Sequence, residues 1–325
     1  MKQGYFVISL DFELMWGNLQ KWTEEGYGQS NVAHVREAID HMLSLFNKYD
    51  VHATFATVGM LMHENKEEAT LTIPKIKPTY KNSLLYPYGE RGLLRINSNN
   101  ESLYFAPDVV TSLQNKKGIE VASHTYCHYF CWEEGQTKEQ FESDLKTAVE
   151  VAERKGLSLK SIVFPRNNVS DEYLEVCTRY GITSYRGNPQ KYFEKKKGLA
   201  RKWMRSGRIL DNYFNLGNKT SYKEPVMHKG MLNIPASRLL RPYSKKLQLL
   251  EPLRLRRIKN ELKYAAKHNE IYHIWWHPHN FGANMDKNMA ILEEVLKCYS
   301  DCQKKYGMTS LTMNEVYNEY CKNGE

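Results

Sequence analysis

Gly118-Ile119-Glu120-Val121-Ala122-Ser123-His124-Thr125-Tyr126-Cys127-His128 is the stretch on which the reading of this chain turns. Its first half is apolar and strand-like, and its second half sets two imidazoles four residues apart. Histidines so placed emerge from the end of a strand, where α/β barrels gather their chemistry. Two imidazoles at this spacing can close on one divalent ion, although a pair satisfied on its own loop or helix face explains the spacing as well. A second segment weighs in. Tyr5-Phe6-Val7-Ile8-Ser9-Leu10 is another strand-like run, and it ends in Asp11-Phe12-Glu13. Acids at i and i+2 of an extended strand point to the same side. Two imidazoles and a carboxylate, with a second carboxylate beside them, make up a zinc-type catalytic site with one position left open.

Around these segments helical and strand-like patterns alternate. Val35, Ile39, Met42, Leu43 and Phe46 recur at helical spacing before a strand-like run over 51–58. Phe141, Leu145, Ala148, Val149 and Ala152 do the same before Ser161-Ile162-Val163-Phe164. Ser170 can cap a helix through Tyr180, Gly181 ends it, and Ile182-Thr183-Ser184-Tyr185 reads as the next strand. Ile271-Tyr272-His273-Ile274-Trp275-Trp276 reads as a buried strand, followed by a helix over 285–304. Ser310-Leu311-Thr312 and a last helix close the pattern. Such alternation predicts a parallel α/β architecture. Two stretches interrupt it. Residues 64–107 carry Pro74, Pro78, Pro87 and Pro107 among polar and tyrosine residues, and read as a long loop. Residues 187–268 are basic and aromatic, with helical character from Pro252 onward. Long loops on such a scaffold are usually functional, so both are expected as insertions that shape a substrate groove. Neither an internal repeat nor a low-complexity tract is present.

A length of 325 residues suits one large core, read here as a single domain over 1–325. Hydrophobic content of 41% with 26% charge fits a soluble globular chain, and no apolar run is long enough to cross a bilayer. Met1-Lys2-Gln3-Gly4-Tyr5 enters a strand at once, without a secretory apolar region, so a cytoplasmic location is expected. Cys127/Cys131 and Cys298/Cys302 are four apart rather than three, which is not the spacing of a zinc knuckle. They read as ordinary thiols, with Cys127 a minor candidate for a soft ligand. The net charge of +9 is concentrated in Lys191–Arg208 and Arg238–Lys267. No nucleic-acid motif accompanies it. A phosphate-bearing substrate or an anionic membrane surface suits it better, against the default of a solvated basic face.

The His124–His128 and Asp11–Glu13 segments resemble the first two motifs of the polysaccharide deacetylase family, carbohydrate esterases with a NodB-homology domain. Gly118 to His128 is similar to that family's His-(Ser/Thr)-x-x-His phrase, and Ala53-Thr54-Phe55-Ala56-Thr57-Val58-Gly59 is similar to its second barrel strand. The resemblance runs from about residue 5 to 186 and resumes over 271–320. It implies a distorted, TIM-like (β/α) barrel of seven or eight strands and metal-dependent removal of acetyl from an N-acetylated sugar. The family's first motif is commonly Thr-Phe-Asp-Asp-Gly. Here Phe12 stands in place of the second aspartate and Glu13 follows, an acid-x-acid form similar to some branches.

By that resemblance Asp11 is the general base, and Glu13, His124 and His128 hold the metal, Zn2+ first, with Co2+, Ni2+ or Mn2+ as alternatives. Arg166, in Phe164-Pro165-Arg166-Asn167-Asn168, takes the place of the arginine that orients the base, though the family usually writes Arg-x-Pro. His277 is the general acid, with His279 as second choice. Of Trp275 and Trp276, which alternate sides, one is expected to wall the acetyl methyl, and Trp276 is named for it. Trp16, followed by Gly17, is a candidate sugar platform, and Asn167 and Asn168 are candidate partners for sugar hydroxyls. The expected substrate is a precursor in cell-surface polysaccharide assembly, lipid-linked or nucleotide-linked. Two other readings stand beside it: hydrolysis of another C–N bond, such as a cyclic amide, and an inactive glycan- or membrane-binding protein. The latter would have no need of an acid, a base and a metal together.

Overall fold

The structure, a computed structural model, describes residues 3–188 and 220–322. Its strands are β1 (Tyr5–Phe12), β2 (Ala53–Thr57), β3 (Ile119–Ser123), β4 (Ser161–Ile162), β5 (Ser184–Tyr185), β6 (Val226–His228), β7 (Met231–Asn233), β8 (Arg238–Leu239), β9 (Ile271–Trp276) and β10 (Thr309–Leu311). They lie in the order β6-β7-β5-β4-β3-β2-β1-β9-β8, with β10 beside β1. All of these pairings are parallel except β6 with β7. This curled, mostly parallel sheet with its helices is a distorted (β/α) barrel.

All eight residues of β1 are buried, as expected of a strand covered on both faces. β9 runs along one edge over Tyr5–Leu10. The other edge is divided, with β10 against Tyr5–Val7 and β2 against Ser9–Phe12. Asp11 therefore sits at the carboxyl end of a strand locked from both sides. The helix Val35–Lys48 buries all five residues read as its apolar face. Thr137 and Gln140 cap the helix Lys138–Arg154 reciprocally and set where it begins. β4 stops two residues early because the chain bends at Pro165 into Arg166 and Asn167, both left-handed with φ of 57° and 52°.

Residues 64–107 are packed rather than loose. They contain the helix Lys66–Leu71 and several single turns, and bury Tyr80, Leu85, Tyr88, Leu93, Ile96, Leu103, Tyr104 and Phe105. The second stretch requires a correction. Its basic part at Lys191–Arg208 lies outside the described residues, but residues 226–239 supply β6, β7 and β8 to the sheet. Met231, Leu232 and Ile234 are buried there, so this part belongs to the barrel rather than to an insertion. The helix Glu251–Lys267 then leads into β9. Among the described residues no helix is long and apolar enough to cross a membrane.

Candidate metal centre and active site

β3 ends at Ser123, and the next five residues form a tight loop with Thr125 at φ 63° and His128 at φ 59°. Those left-handed positions cost energy and are held by surrounding bonds. Asp144, from the helix Lys138–Arg154, accepts from the Tyr126 and Cys127 amides at 2.7 and 3.1 Å. Thr125 Oγ1 accepts from Tyr129 N at 2.7 Å, and Gly59 N and Met60 N donate to the Thr125 and Tyr126 carbonyls. Gly59 is needed there, since a Cβ would come within 2.8 Å of the Tyr126 ring. Burial pushes the Asp144 carboxyl up to about 6.

The loop turns both imidazoles toward Glu13, just beyond β1. Glu13 Oε2 lies 3.4 Å from His124 Nε2 and 3.0 Å from His128 Nε2. One ligand atom from each of the three residues lies within 4.8 Å of the others. His124 Nδ1–H donates to the Val163 carbonyl at 2.8 Å, which leaves Nε2 with a free lone pair. That Nε2 is buried without a hydrogen-bond partner, a costly state that a divalent cation relieves. Glu13 is confined from behind by Gly17, where a Cβ would fall 2.1 Å from Oε1. Burial works against the Glu13 charge, but the imidazoles of His277, His128 and His124 hold its carboxyl well below the usual range. This donor set fits a zinc-type ion. Cys127 is not part of it: its thiol is buried against Asp144.

Asp11 faces the same space. Its partner is Arg186, the residue after β5, which grips it with Nη1–Oδ1 at 2.6 Å and Nη2–Oδ2 at 2.8 Å. Burial raises the Asp11 carboxyl, and Arg186, with smaller contributions from His124 and His277, brings it below its ordinary value. Arg186 is itself fixed on several sides. Its Nε and Nη2 donate to Asn167 Oδ1 at 3.0 and 2.8 Å, and its guanidinium lies 4.2 Å from the centre of the Trp275 ring. Nη1 also donates to Ser9 Oγ at 3.0 Å. The Ser9 hydroxyl meets His273 Nε2 at 2.8 Å, and His273 Nδ1 meets the Ile234 carbonyl at 3.2 Å. Burial, with Arg186 nearby, pushes His273 down to about 3, so the ring is neutral. A carbonyl only accepts, so Nδ1 carries the proton and Nε2 accepts from Ser9.

His277 completes the group from the end of β9. Its Nε2 is 3.5 Å from Glu13 Oε1 and 3.8 Å from Asp11 Oδ2, and its side chain is 24% exposed. Tyr27 donates its hydroxyl to Asn280 Oδ1, which turns Asn280 Nδ2 toward His277 Nδ1 at 3.3 Å. An amide N–H on Nδ1 leaves Nε2, the nitrogen facing the carboxylates, as the one that bears the proton.

The structure thus brings together Asp11, Glu13, His124, His128 and His277, and corrects five other assignments. Arg166 does not reach Asp11: it is 43% exposed, lies over Phe130 and pairs with Glu133 at 3.5 Å. Its left-handed backbone directs it outward, and Arg186 holds the place beside Asp11 that was expected of it. Asn167 clamps Arg186 with its carboxamide oxygen instead of offering it to a sugar. Trp16 is no platform, because it is buried and donates Nε1 to the Tyr104 carbonyl at 2.8 Å. Trp276 packs between Phe46 and Phe281 in the core, and Trp275 is the tryptophan beside Arg186 and His277. His279 is fully buried, with Trp22 and Tyr27 edge-on to its ring and Nε2 3.7 Å from Glu13 Oε1. Burial pushes it down to about 3 and closes its ring off from solvent. Sequence reasoning missed Arg186, Ser9, His273, Tyr27 and Asn280. Only Arg186 carried a signal, that of an arginine directly after a short strand.

A family model described as polysaccharide deacetylase matches residues 24–185, about half of the chain, and this chain belongs to that family. The matched span includes His124 and His128 but not Asp11, Glu13 or His277, which only the three-dimensional structure joins to them. No curated protein matches the chain in sequence. Among solved structures, a Mycobacterium smegmatis protein assigned as a polysaccharide deacetylase is similar, with TM-score 0.62 and 12% identity over 100% of this chain and 92% of that one. A Pseudomonas aeruginosa PAO1 protein assigned in the same way gives TM-score 0.56 and 12% identity, covering 98% and 91%. A structure named Puue allantoinase gives 0.53 and 10%, covering 97% and 89%. At such identities these likenesses speak for the fold alone.

Proposed function

We propose that the protein is a metal-dependent hydrolase that removes acetyl from an N-acetylated sugar, acting on a precursor of a cell-surface polysaccharide. The observation that carries this reading is the convergence of an arginine-clamped Asp11, a Glu13/His124/His128 donor set and the His277 Nε2 within one pocket at the carboxyl end of the sheet. Each part answers one need of amide hydrolysis. A divalent ion, zinc first, bound by those three donors would acidify a water and polarise the acetamide carbonyl. Asp11, kept ionised by Arg186, accepts the proton of the attacking water. His277, protonated on both ring nitrogens, gives its Nε2 proton to the amine nitrogen as the C–N bond breaks and is left as the neutral ring, with Asn280 beside Nδ1. Trp275, partly exposed beside both Arg186 and His277, takes over the acetyl-facing wall that Trp276 cannot provide.

The test is acetate release by zinc-loaded protein from N-acetylated sugars, offered free and as nucleotide-linked and lipid-linked forms. Asp11→Asn should keep its metal and lose about 10²–10⁴-fold in kcat. Near-normal turnover in that variant would remove Asp11 as the base. Opening of cyclic amides without acetate release from any sugar would select the other C–N hydrolase reading instead.

A further inference from the structure

We propose that the corner formed by residues 245–256 docks on an anionic lipid bilayer and turns the active-site rim toward it. The corner follows β8. Because β8 runs parallel to β9, the chain leaves it at the end that carries His277, and Leu240 N bonds to the Trp275 carbonyl at 2.8 Å. Two further bonds tie it to that rim. Tyr243 N donates to Asn288 Oδ1 at 2.6 Å, and Asn288 Nδ2 donates to the carbonyl of Ala283, in the segment after His277. Arg254 grips Glu251 and the Arg241 carbonyl, which closes the base of the corner and neutralises its acid.

What this frame holds outward is apolar at its tip and basic around it. None of the six residues Lys245–Leu250 is buried. Leu249 is 88% exposed and Leu253, four residues on, is 41% exposed. Together the two leucines leave an apolar edge in water, and removing it from water is favourable. Lys245, Lys246 and Arg256 are exposed beside them, and none forms an ion pair with a described residue. Exposed leucines flanked along the chain by exposed cations match the apolar interior and anionic headgroups of a membrane surface. A protein partner or a second copy would satisfy the leucines but gives no reason for three uncompensated cations around them.

The experiment is co-sedimentation of the full chain with vesicles, using an equal mixture of phosphatidylglycerol and phosphatidylcholine against phosphatidylcholine alone. The wild type should bind the mixed vesicles, bind the neutral ones far less, and be released by salt. Leu249→Asp with Leu253→Asp should weaken binding at least about tenfold. Lys245→Gln, Lys246→Gln and Arg256→Gln together should weaken it roughly a hundredfold and flatten the salt dependence. Both variants should melt as the wild type does; if the aspartates unfold the chain, Leu249→Ser with Leu253→Ser replaces them. Failure of the wild type to bind anionic vesicles, or unchanged binding by both variants, overturns the proposal. A change in oligomeric state without a change in vesicle binding does so too, in favour of a second copy. None of these readouts involves turnover, so the result is independent of the reaction assigned to the pocket.

Discussion

The proposed ion-facing half of the pocket takes two of its three donors from five consecutive residues, whereas the proposed proton-handling half is gathered from β1 and from the ends of β4, β5 and β9. In the first half, His124 and His128 share one loop, and one buried carboxylate, Asp144, fixes that loop through two adjacent amides. In the second, Asp11 meets Arg186 across 175 residues of sequence, and Arg186 depends on Asn167, Ser9 and, through Ser9, His273. A local loop can be preserved by a short motif. A dispersed network survives only if several strands keep their register, so the two halves should fail differently.

The largest effect belongs to the ion-facing half. His124→Ala should lower metal affinity at least about a hundredfold, since even outer partners of metal ligands cost 10–100-fold. Metal content after dialysis measures it, and retention of a full equivalent would take the histidine out of the site. The dispersed half is tested by two arginines. Arg186→Ala leaves Asp11 charged and buried without its partner and should cost about 3–5 kcal/mol in unfolding free energy. It should also remove most activity while the metal stays bound. Arg166→Ala, at an exposed position, should stay within about 0.5 kcal/mol. Equal losses from the two arginines would contradict the division of roles.

The same contrast explains what could be read in the sequence. The His loop and the acids of β1 were legible because each is contiguous and follows an apolar run; the alternation around them showed a parallel α/β architecture, and the barrel came from the family resemblance. The partner of Asp11 was not. Arg166 and Arg186 both follow short strands, and what separates them is backbone conformation. The left-handed turn at Arg166 and Asn167 sends the first guanidinium out over Phe130 and turns the Asn167 carboxamide in toward the second. Trp275 and Trp276 present the same difficulty on β9. Trp276 and nearly all the rest of the strand are buried on both faces, so polarity does not mark which parity faces the pocket. Short strands such as Arg238–Leu239 were hidden inside a basic stretch for want of enough residues to show a period.

A pH measurement sharpens the comparison at Asp144. Its folded carboxyl is raised from 3.8 to about 6, so between those values the native state binds the proton more tightly than the unfolded chain does. Stability therefore falls as pH rises across that window and levels off above it, by about 3 kcal/mol from this group. Asp144→Asn cannot titrate, but it offers a single acceptor oxygen to the two amides and should lose about 1–3 kcal/mol at low pH. Urea unfolding of both proteins from pH 4 to 7 isolates the group as a difference curve, with the wild type losing its advantage as pH rises. A flat difference would mean that the charge on Asp144 is compensated in the native loop.

The smallest effect is expected at Tyr27, where the proton-handling half reaches the surface layer. The Tyr27 hydroxyl sets which way the Asn280 amide faces, and the amide sets which nitrogen of His277 carries hydrogen. Burial pushes the phenol far above its ordinary value, so it remains a donor at any working pH. In Tyr27→Phe the amide is free to turn its oxygen to His277 Nδ1–H, a pairing that favours the doubly protonated ring, the form able to give a proton from Nε2. One hydrogen bond is worth about 0.5–1.5 kcal/mol, so the alkaline limb of the kcat–pH profile should move up by about 0.4–1 unit with KM and metal content unchanged. Tyr27→Phe with Asn280→Asp should move that limb further up, because a carboxylate on Nδ1–H stabilises the protonated ring more than an amide oxygen does. An alkaline limb unmoved in both variants would show that the proton reaching the amine does not come from His277.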